Sequence, residues 1–406
     1  MHREDFPLLV NHPDIVYLDN AATTQKPAYV IDGVADFLRN EYSNIHRGLY
    51  PLSEQSECHF YDSKKLVWEL VNVWYKQVVY TSNATDSVNI LVQSLVNSNK
   101  LNPWDTVLLG IWDHHANLLP WLSYAKHFGY KVKYFYLKED YTVDYEDFQK
   151  QYTDDVKVVA CWEVSNVTWA ICDVKKIKSL LRDDTFFVVD ASQAIPNMPV
   201  DFQDIWCDAL VFTGHKMMAY TWIGVLVLKE EWVKELTPIN VGWGTVKDVS
   251  RDSYLLKWNV WKFEAWTPDI IWAVSLEKAL EYIKTLWEDW SLLGGMKVIW
   301  EHEKKLMEYI RSKFAKLEGQ VTVYWPKEAE KVALFSFIVN WNTNFNQVGE
   351  FFADHNICIR CWGHCAYPLH KYLNIWGTCR MSAYLYNDEK DVDYFFEVLD
   401  KLLKSS

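Results

Sequence analysis

Short apolar stretches alternate with amphipathic stretches through the first half of the chain. Six apolar stretches have the length and the β-branched or aromatic composition of strands. They are Gln77–Thr81, Thr106–Gly110, Lys131–Tyr136, Val156–Ala160, Thr185–Asp190 and Ala209–Thr213. Stretches between them, such as Ser53–Val73 and Asp86–Ser98, have amphipathic helical character. This alternation predicts an α/β fold built on a mostly parallel sheet.

The pattern changes after about residue 284. A long helical stretch is followed by an apolar run, a second helix, a loop rich in Cys and His, and a last helix. The four regular stretches are Leu292–Leu317, Val332–Val339, Asn346–His355 and Asp388–Leu403. We therefore predict a large α/β domain over residues 16–288 and a smaller α+β domain over residues 289–406, with residues 1–15 packed against the small domain.

Composition and charge narrow the range of partners. The 406 residues carry a net charge of −13, which disfavours non-specific binding to nucleic acid or to anionic membranes. The longest apolar runs are of strand length, far short of a membrane span, and no signal peptide is recognisable. Eight irregularly spaced cysteines are more typical of reduced thiols than of a disulfide framework. We therefore expect a cytoplasmic protein without a nucleic-acid or membrane partner.

Two strand ends carry groups that suit pyridoxal phosphate. One strand ends at Asp190, and the next leads through Gly-His to Lys216. Ligands bind at the carboxyl ends of such strands. A lysine can form a Schiff base there, while a carboxylate keeps the pyridine nitrogen protonated and makes the ring an electron sink. Alone, either residue could be a helix cap or a solvated side chain, but the pair, with Gln193 and His215 beside it, favours a cofactor site.

Eight short segments spread along the chain are together typical of one enzyme family. They read Tyr17-Leu-Asp-Asn-Ala-Ala-Thr, Asn44-Ile-His-Arg-Gly-Leu, Asp113-His-His-Ala-Asn, Val164-Ser-Asn-Val, Val189-Asp-Ala-Ser-Gln-Ala, Thr213-Gly-His-Lys, Phe263-Glu-Ala-Trp-Thr-Pro and Arg360-Cys-Trp-Gly-His-Cys-Ala-Tyr-Pro-Leu. With them the chain resembles the class V, fold-type I pyridoxal-phosphate enzymes, and within these the group II (SufS/CsdA-type) cysteine desulfurases. The resemblance implies a large cofactor-binding domain with a mostly parallel seven-stranded sheet and a small domain carrying a nucleophilic cysteine.

The resemblance also implies roles around pyridoxal 5′-phosphate. Lys216 would form the Schiff base, Asp190 would pair with the pyridine nitrogen, and His114 would stack on the ring. The remaining cofactor contacts would come from Asn166 and Gln193 at the phenolic oxygen, Thr85, Thr213 and His215 at the phosphate, and Thr267 at the phosphate from the other subunit of a homodimer.

The implied reaction converts L-cysteine to L-alanine. Arg380 would bind the substrate carboxylate with a forked geometry that lysine cannot match, and Arg360, His46 and Arg47 would line the entrance. Lys216 would take the α-proton. The Cys365 thiolate would then accept the substrate sulfur as a persulfide, favoured by His364, Arg360 or the cofactor environment. A sulfur-acceptor protein of the SufE/SufU type would take it on to iron–sulfur cluster assembly.

Other functions remain open from the sequence. A selenocysteine lyase shares nearly all of these residues, and a class V aminotransferase or epimerase would not need Cys365. A non-catalytic cofactor-binding scaffold is the alternative from another class. Zinc is a rival use of Cys358, Cys361, His364 and Cys365, but their spacing does not fit a paired Cys-x2-Cys site, and we predict no metal.

Tryptophan is unusually frequent and glycine unusually rare. The chain has 22 tryptophans and 14 glycines, and several tryptophans stand where the family has glycine or where a turn favours it. They are Trp104, Trp169, Trp222, Trp243, Trp266, Trp272, Trp325 and Trp362. Because some genetic codes read UGA as glycine and others as tryptophan, we hypothesise that these positions reflect one codon read in two ways. A chain genuinely rich in tryptophan is the alternative.

Overall fold

The computed structural model describes residues 2–265, 267–326, 331–342 and 344–405. Trp266, one of the tryptophans at a glycine-like position, lies outside these residues. The described strands are β1 (Val16–Tyr17), β2 (Val78–Thr81), β3 (Thr106–Gly110), β4 (Lys131–Phe135), β5 (Val156–Trp162), β6 (Phe186–Asp190), β7 (Ala209–Thr213), β8 (Gly224–Leu228), β9 (Val246–Val249), β10 (Tyr254–Leu256), β11 (Val321–Val323), β12 (Leu334–Val339), β13 (Ile357–Cys358), β14 (Arg360–Trp362) and β15 (Thr378–Ser382).

The described α-helices connect and cover these strands. They are α1 (Pro7–Asn11), α2 (Ala28–Asn40), α3 (Pro51–Val71), α4 (Ala84–Asn97), α5 (His115–Phe128), α6 (Tyr145–Gln151), α7 (Val174–Leu180), α8 (Phe202–Ile205), α9 (Glu230–Glu235), α10 (Ile270–Thr285), α11 (Leu292–Phe314), α12 (Phe345–Ala353), α13 (Tyr367–Tyr372) and α14 (Glu389–Lys404). No described helix is both long enough and apolar enough to span a bilayer.

A seven-stranded sheet forms the centre of the larger part of the molecule. Its strand order is β2-β8-β7-β6-β5-β3-β4. Only β8 runs antiparallel to its neighbours, and the other adjacent pairs are parallel. The predicted mostly parallel sheet is therefore confirmed. All six predicted strands are present, with ends shifted by at most two residues, whereas β8 was not among them.

Both faces of this sheet are buried because helices cover each of them. Along β6, Phe187 and Val189 belong to one core cluster and Val188 to the other, as the alternation of side chains along a strand requires. Helices α2, α3 and α10 pack together on the first face, and α4 and α5 on the second. Such two-sided burial explains why the strands are almost continuously apolar rather than alternating.

A smaller antiparallel sheet with the order β11-β12-β15-β14 follows, packed against α12. The chain crosses into this part between α10 and α11. Near the N-terminus, Arg3 Nη1 lies 3.5 Å from Asp391 Oδ2, while Tyr282 Oη donates to Asp5 Oδ2 at 2.7 Å. The N-terminal segment therefore contacts both parts, and the predicted domain boundaries remain a prediction.

Candidate active site

One cavity of about 390 Å³ opens at the carboxyl ends of the central strands. Asp190 is the last residue of β6, and Lys216 follows β7 by three residues. His114 precedes α5, Arg380 lies on β15 of the smaller sheet, and Cys365 lies in the loop after β14. The other predicted site residues in its wall are Thr85, Asn166, Gln193, Thr213, His215 and Arg360. The structure thus brings together side chains that are far apart in the sequence. The first and last of them, Thr85 and Arg380, are 295 positions apart.

Lys216 is prepared to act as a neutral amine. Desolvation lowers the pKa of its ammonium group from 10.5 to about 8, and the positive charge of Arg380 acts in the same direction. The carboxylate of Asp190 opposes this shift. Burial penalises the charged form of an amine, so an appreciable fraction of Lys216 is neutral near neutral pH.

His114 presents an uncharged ring to the cavity. It is the N-cap residue of α5, and its Nδ1 accepts a hydrogen bond from the backbone N–H of Ala116 at 3.1 Å. Since Nδ1 is an acceptor, the neutral ring carries its proton on Nε2. Desolvation, followed by the charge of Lys216, lowers the pKa of His114 to about 3. A neutral, oriented ring of this kind suits stacking on an aromatic ligand.

One part of the cavity wall is suited to bind an anion. The N-terminus of α4 opens onto it, with Asn83, Ala84 and Thr85 in the wall. The side chain of Asn83 caps the helix by accepting from the Asp86 N–H at 3.0 Å. The first amides and the dipole of a helix of this length attract a phosphate group. His215 lies in the same wall, and desolvation lowers its pKa to about 3, so it is neutral.

Several polar atoms in the wall lack a partner in the described part of the chain. They are Asn166 Oδ1, Ser192 Oγ and Arg380 Nε, all of them buried. Other atoms of these groups are engaged, since Asn166 Nδ2 donates to the His364 carbonyl at 2.7 Å. Gln193 Nε2 donates to the Ala21 carbonyl at 2.9 Å. Buried polar groups are normally satisfied, so these orphaned atoms mark a site shaped for a polar ligand.

Two arginines share one carboxylate at the side of the cavity. Arg360 and Arg380 are paired across β14 and β15. Arg360 binds Asp19 through two bonds of 3.1 and 2.9 Å, and Arg380 Nη2 lies 3.6 Å from Asp19 Oδ1. Arg380 also donates to the Asn166 carbonyl at 3.1 Å. Desolvation lowers the pKa of Arg380 to about 10, which leaves it charged at neutral pH. Sequence reasoning assigned no role to Asp19, although two facing arginines need such a counter-ion.

Cys365 lies in a loop with unusual backbone angles. Both His364 (φ 46°) and Cys365 (φ 55°) adopt the left-handed conformation, and the Cys365 thiol is exposed. His364 is buried, and its Nε2 lies 2.8 Å from Thr378 Oγ1. Desolvation and the charge of Arg380 hold the pKa of His364 well below 6.5. His364 is therefore neutral, whereas Arg360 is a positive group whose charge interacts with Cys365.

Three predicted site residues lie away from this cavity. Thr267 lines a separate cavity of about 480 Å³ together with Ser82 and Trp222. His46 Nδ1 lies 3.0 Å from Glu57 Oε1, and the neighbouring Arg47 has φ 64°. The roles given to Thr267, His46 and Arg47 therefore remain predictions. Among the described residues no cluster of three or more His, Cys, Asp or Glu side chains could hold a metal ion.

Known proteins resemble this chain over its whole length. Residues 16–395 match the family model described as aminotransferase class-V. A probable cysteine desulfurase of Halalkalibacterium halodurans is 32% identical over 98% of this chain and 96% of its own length. One from Halobacterium salinarum is 33% identical over 98% and 95%. The apo structure of a cysteine desulfurase from Thermococcus onnurineus superposes with a TM-score of 0.92 and 31% identity, covering 100% of this chain and 98% of that one. The fold-type I architecture is thereby confirmed.

Proposed function

Because the chain belongs to the class-V aminotransferase family, together with its cysteine desulfurases, we propose that it is a pyridoxal-phosphate-dependent cysteine desulfurase. It converts L-cysteine to L-alanine and retains the sulfur as a persulfide on Cys365. The observation that carries this proposal is that Lys216, Asp190, Arg380 and Cys365 line one cavity. A class V aminotransferase uses the first three groups but has no need of a reactive thiol at the cavity wall.

The residues of the cavity fit the cofactor. Lys216 would hold it covalently, Asp190 would pair with its ring nitrogen, and His114 would cover one face of the ring. The N-terminus of α4 suits its phosphate, and the orphaned Asn166 Oδ1 and Ser192 Oγ supply unused hydrogen-bonding capacity. When bound, pyridoxal phosphate supplies an electron sink for charge that develops on the substrate carbon.

Side chains of this chain account for substrate orientation and sulfur transfer. Arg380 binds the α-carboxylate and fixes the orientation of the amino acid. Lys216, with its pKa lowered to about 8, can take up and return a proton near neutral pH. The Cys365 thiolate attacks the substrate sulfur, a sulfur–sulfur bond forms, and the bond between that sulfur and the substrate carbon breaks. The electron pair of the broken bond stays on the carbon, which takes up a proton and becomes the methyl group of alanine.

Thr267 lies outside the active-site cavity and would contact the cofactor only in a homodimer. Thr267 and Trp222 line the second cavity, and the family resemblance has Thr267 reach the phosphate of the other subunit. We therefore include dimerisation in the proposal. Light scattering on the purified protein tests it, and a monomeric mass would remove Thr267 from the site.

The fate of the sulfur completes the proposal. Cys365 is exposed, so an acceptor protein of the SufE/SufU type can reach a persulfide formed there, as in group II enzymes that supply iron–sulfur cluster assembly. All eight cysteines are free thiols, which fits action in the reducing cytoplasm.

Replacement of the thiol is the decisive experiment. We expect Cys365→Ala to abolish alanine formation from L-cysteine while the absorbance of the bound cofactor is retained. Cys58→Ala is the matched control, because Cys58 is the other exposed cysteine and lies on α3 outside the cavity. Alanine formation that persists in Cys365→Ala contradicts the proposal, because the substrate sulfur would then leave without this thiol. A wild-type protein that binds no pyridoxal phosphate contradicts it more broadly.

A further inference from the structure

His115 forms hydrogen bonds with two residues of the segment that carries Cys365. Its backbone N–H donates to the Cys365 carbonyl at 2.8 Å, and its Nε2 accepts from the backbone N–H of Tyr367 at 3.2 Å. The rings of His115 and Tyr367 also meet edge to face, with centroids 4.8 Å apart. One residue of the large domain therefore fixes the backbone at the nucleophile and two residues beyond it.

The ring of Tyr367 also packs against the loop at Gly363. A Cβ added at Gly363 would lie 2.3 Å from Cε1 of Tyr367, so the ring lies directly against the backbone at that position. The tyrosine ring thus contacts His115 on one side and Gly363 on the other. Contacts of this kind can hold His364 and Cys365 in their left-handed conformations, which neither residue favours by itself.

We propose that His115 is a positioning residue that sets the place of the Cys365 thiol relative to the substrate. The inference rests on the proposed desulfurase function. His115 directly follows His114, whose ring faces the cavity, so one helix start positions both the ring-stacking group and the loop of the nucleophile. The Nε2 atom of His115 must be unprotonated to accept from Tyr367. Desolvation lowers the pKa of His115 from 6.5, which is consistent with that state.

Substitutions at His115 separate the side-chain bond from the backbone bond. His115→Leu removes the acceptor for Tyr367 and keeps the backbone N–H, whereas the amide of His115→Gln can replace Nε2. The loss of this hydrogen bond to the loop predicts a fall in kcat of about tenfold for His115→Leu, with KM for L-cysteine unchanged. His115→Gln should recover most of kcat. His127→Leu, at the exposed end of the same helix, is the matched control and should match the wild type.

A second measurement works without turnover. The rate at which iodoacetamide alkylates Cys365, followed by peptide mapping, should differ from the wild type in His115→Leu and return towards it in His115→Gln. Equal kcat values for the two variants, or a fall that comes entirely from KM or cofactor loss, would overturn the proposal. Absence of alanine formation by the wild type would refute the desulfurase function itself, while the alkylation rates would still report on loop positioning.

Several tryptophans stand in backbone conformations that glycine adopts. Five described tryptophans have positive φ: Trp169 (68°), Trp206 (59°), Trp222 (74°), Trp290 (52°) and Trp362 (126°). Only three described glycines share that property. A bulky residue with positive φ is an outlier, and φ 126° at Trp362 lies outside even the left-handed helical region. The five include three positions that the sequence marked as glycine-like and two, Trp206 and Trp290, that it did not.

Hydrogen bonding of the indole groups provides an independent observation. The indole nitrogens of Trp112, Trp169 and Trp272 are buried without a partner in the described part of the chain. By contrast, Trp121 donates to Asn117 Oδ1 at 3.4 Å, and Trp232 donates to Asp208 Oδ1 at 3.0 Å. Buried indoles normally find an acceptor. An orphaned indole therefore indicates a poor fit where a second observation agrees with it, as positive φ does at Trp169 and the glycine-like sequence position does at Trp272.

We infer that the cell inserts glycine at the five positive-φ positions and at Trp272, through a codon that it reads as glycine. Glycine tolerates positive φ and has no indole to satisfy. Trp121 and Trp232, with ordinary backbone angles and satisfied indoles, are true tryptophans. At position 362, three residues before Cys365, glycine would replace a ring that now forms part of the cavity wall.

Codon usage and protein mass test this inference. We expect UGA at the six positions and UGG at 121 and 232. The intact mass of the protein purified from its own cells should be lower than the mass of the printed chain by one tryptophan-to-glycine difference for each UGA codon. UGG at the six positions, or a mass that contains all 22 tryptophans, would overturn it.

Discussion

The two sides of the active-site cavity are built by different means. Lys216, Asp190 and His114, here called the sheet side, stand at or just beyond strand ends whose positions are set by a core buried on both faces. The loop side, residues 363–366, follows the short strand β14, exposes Cys365 and contains left-handed backbone. Its position depends on a few contacts with His115, Asn166 and Thr378.

This difference separates two kinds of chemistry. The sheet side provides groups that must keep a fixed relation to one ligand, so rigid strand ends suit it. Under the proposed function, the loop side approaches the substrate sulfur and presents the transferred sulfur to an acceptor, and a segment held by few bonds suits that task. Arg380 connects the two sides, because it lies on β15 and donates to the carbonyl of Asn166. Because different contacts hold the two sides, a substitution on one side should leave the function of the other side measurable.

The largest expected effect is confined to the sheet side. Lys216→Ala should lower alanine formation by about 10⁴-fold, the upper end of what a positioned proton-transfer group contributes. The rate of Cys365 alkylation by iodoacetamide in the cofactor-free protein should not change. A large change in that rate would show that the two sides are not separable.

The pH dependence of cofactor binding tests the lowered pKa of Lys216 on the sheet side. Desolvation lowers the pKa of Lys216 to about 8, so the amine is charged below that pH and neutral above it. Because only the neutral amine attacks an aldehyde, binding of pyridoxal phosphate to the cofactor-free protein should accelerate roughly 50-fold from pH 6 to pH 8. Stopped-flow absorbance measures this rate. A midpoint near 10.5, the ordinary value for lysine, would contradict the assignment.

Arg380 tests the connection between the two sides. Arg380→Lys keeps a positive charge but loses the forked geometry, so KM for L-cysteine should rise about tenfold with a smaller effect on kcat. Initial-rate kinetics measure both constants. An unchanged KM would mean that another group binds the carboxylate.

The smallest effect is expected on the loop side. Thr378→Val removes the partner of His364 Nε2, 2.8 Å away, and nearly preserves side-chain shape. Loss of one such bond predicts a change of about threefold in Cys365 alkylation and in turnover. Cofactor capture should stay at the wild-type rate, and a slower capture would contradict the separation.

The sheet side could be predicted from the sequence because its signals are local. An apolar run that ends in a carboxylate, followed by one that leads to a lysine, places Asp190 and Lys216 at one sheet edge. Strand β8 was missed, although Gly224–Leu228 is a buried apolar run, and its antiparallel direction depends on tertiary pairing.

The conformation of the loop side could not be predicted from local sequence signals. Cys365 was identified through family resemblance, and nothing in His364 or Cys365 themselves favours positive φ. Tertiary contacts impose that conformation, including a bond from Asn166, which lies 198 positions away from His364 in the sequence. The role of Asp19 was missed for the same reason, since its arginine partner Arg360 is 341 positions away.

The shared counter-ion of the two arginines also bears on which thiols the cavity should accept. Two guanidinium groups and one aspartate leave a single unbalanced positive charge among the three side chains. A free amino acid can neutralise that charge with its one carboxylate. A cysteine inside a peptide, or cysteamine, lacks a free α-carboxylate and leaves the charge uncompensated, so under the proposed function we expect either to be a much poorer substrate than L-cysteine.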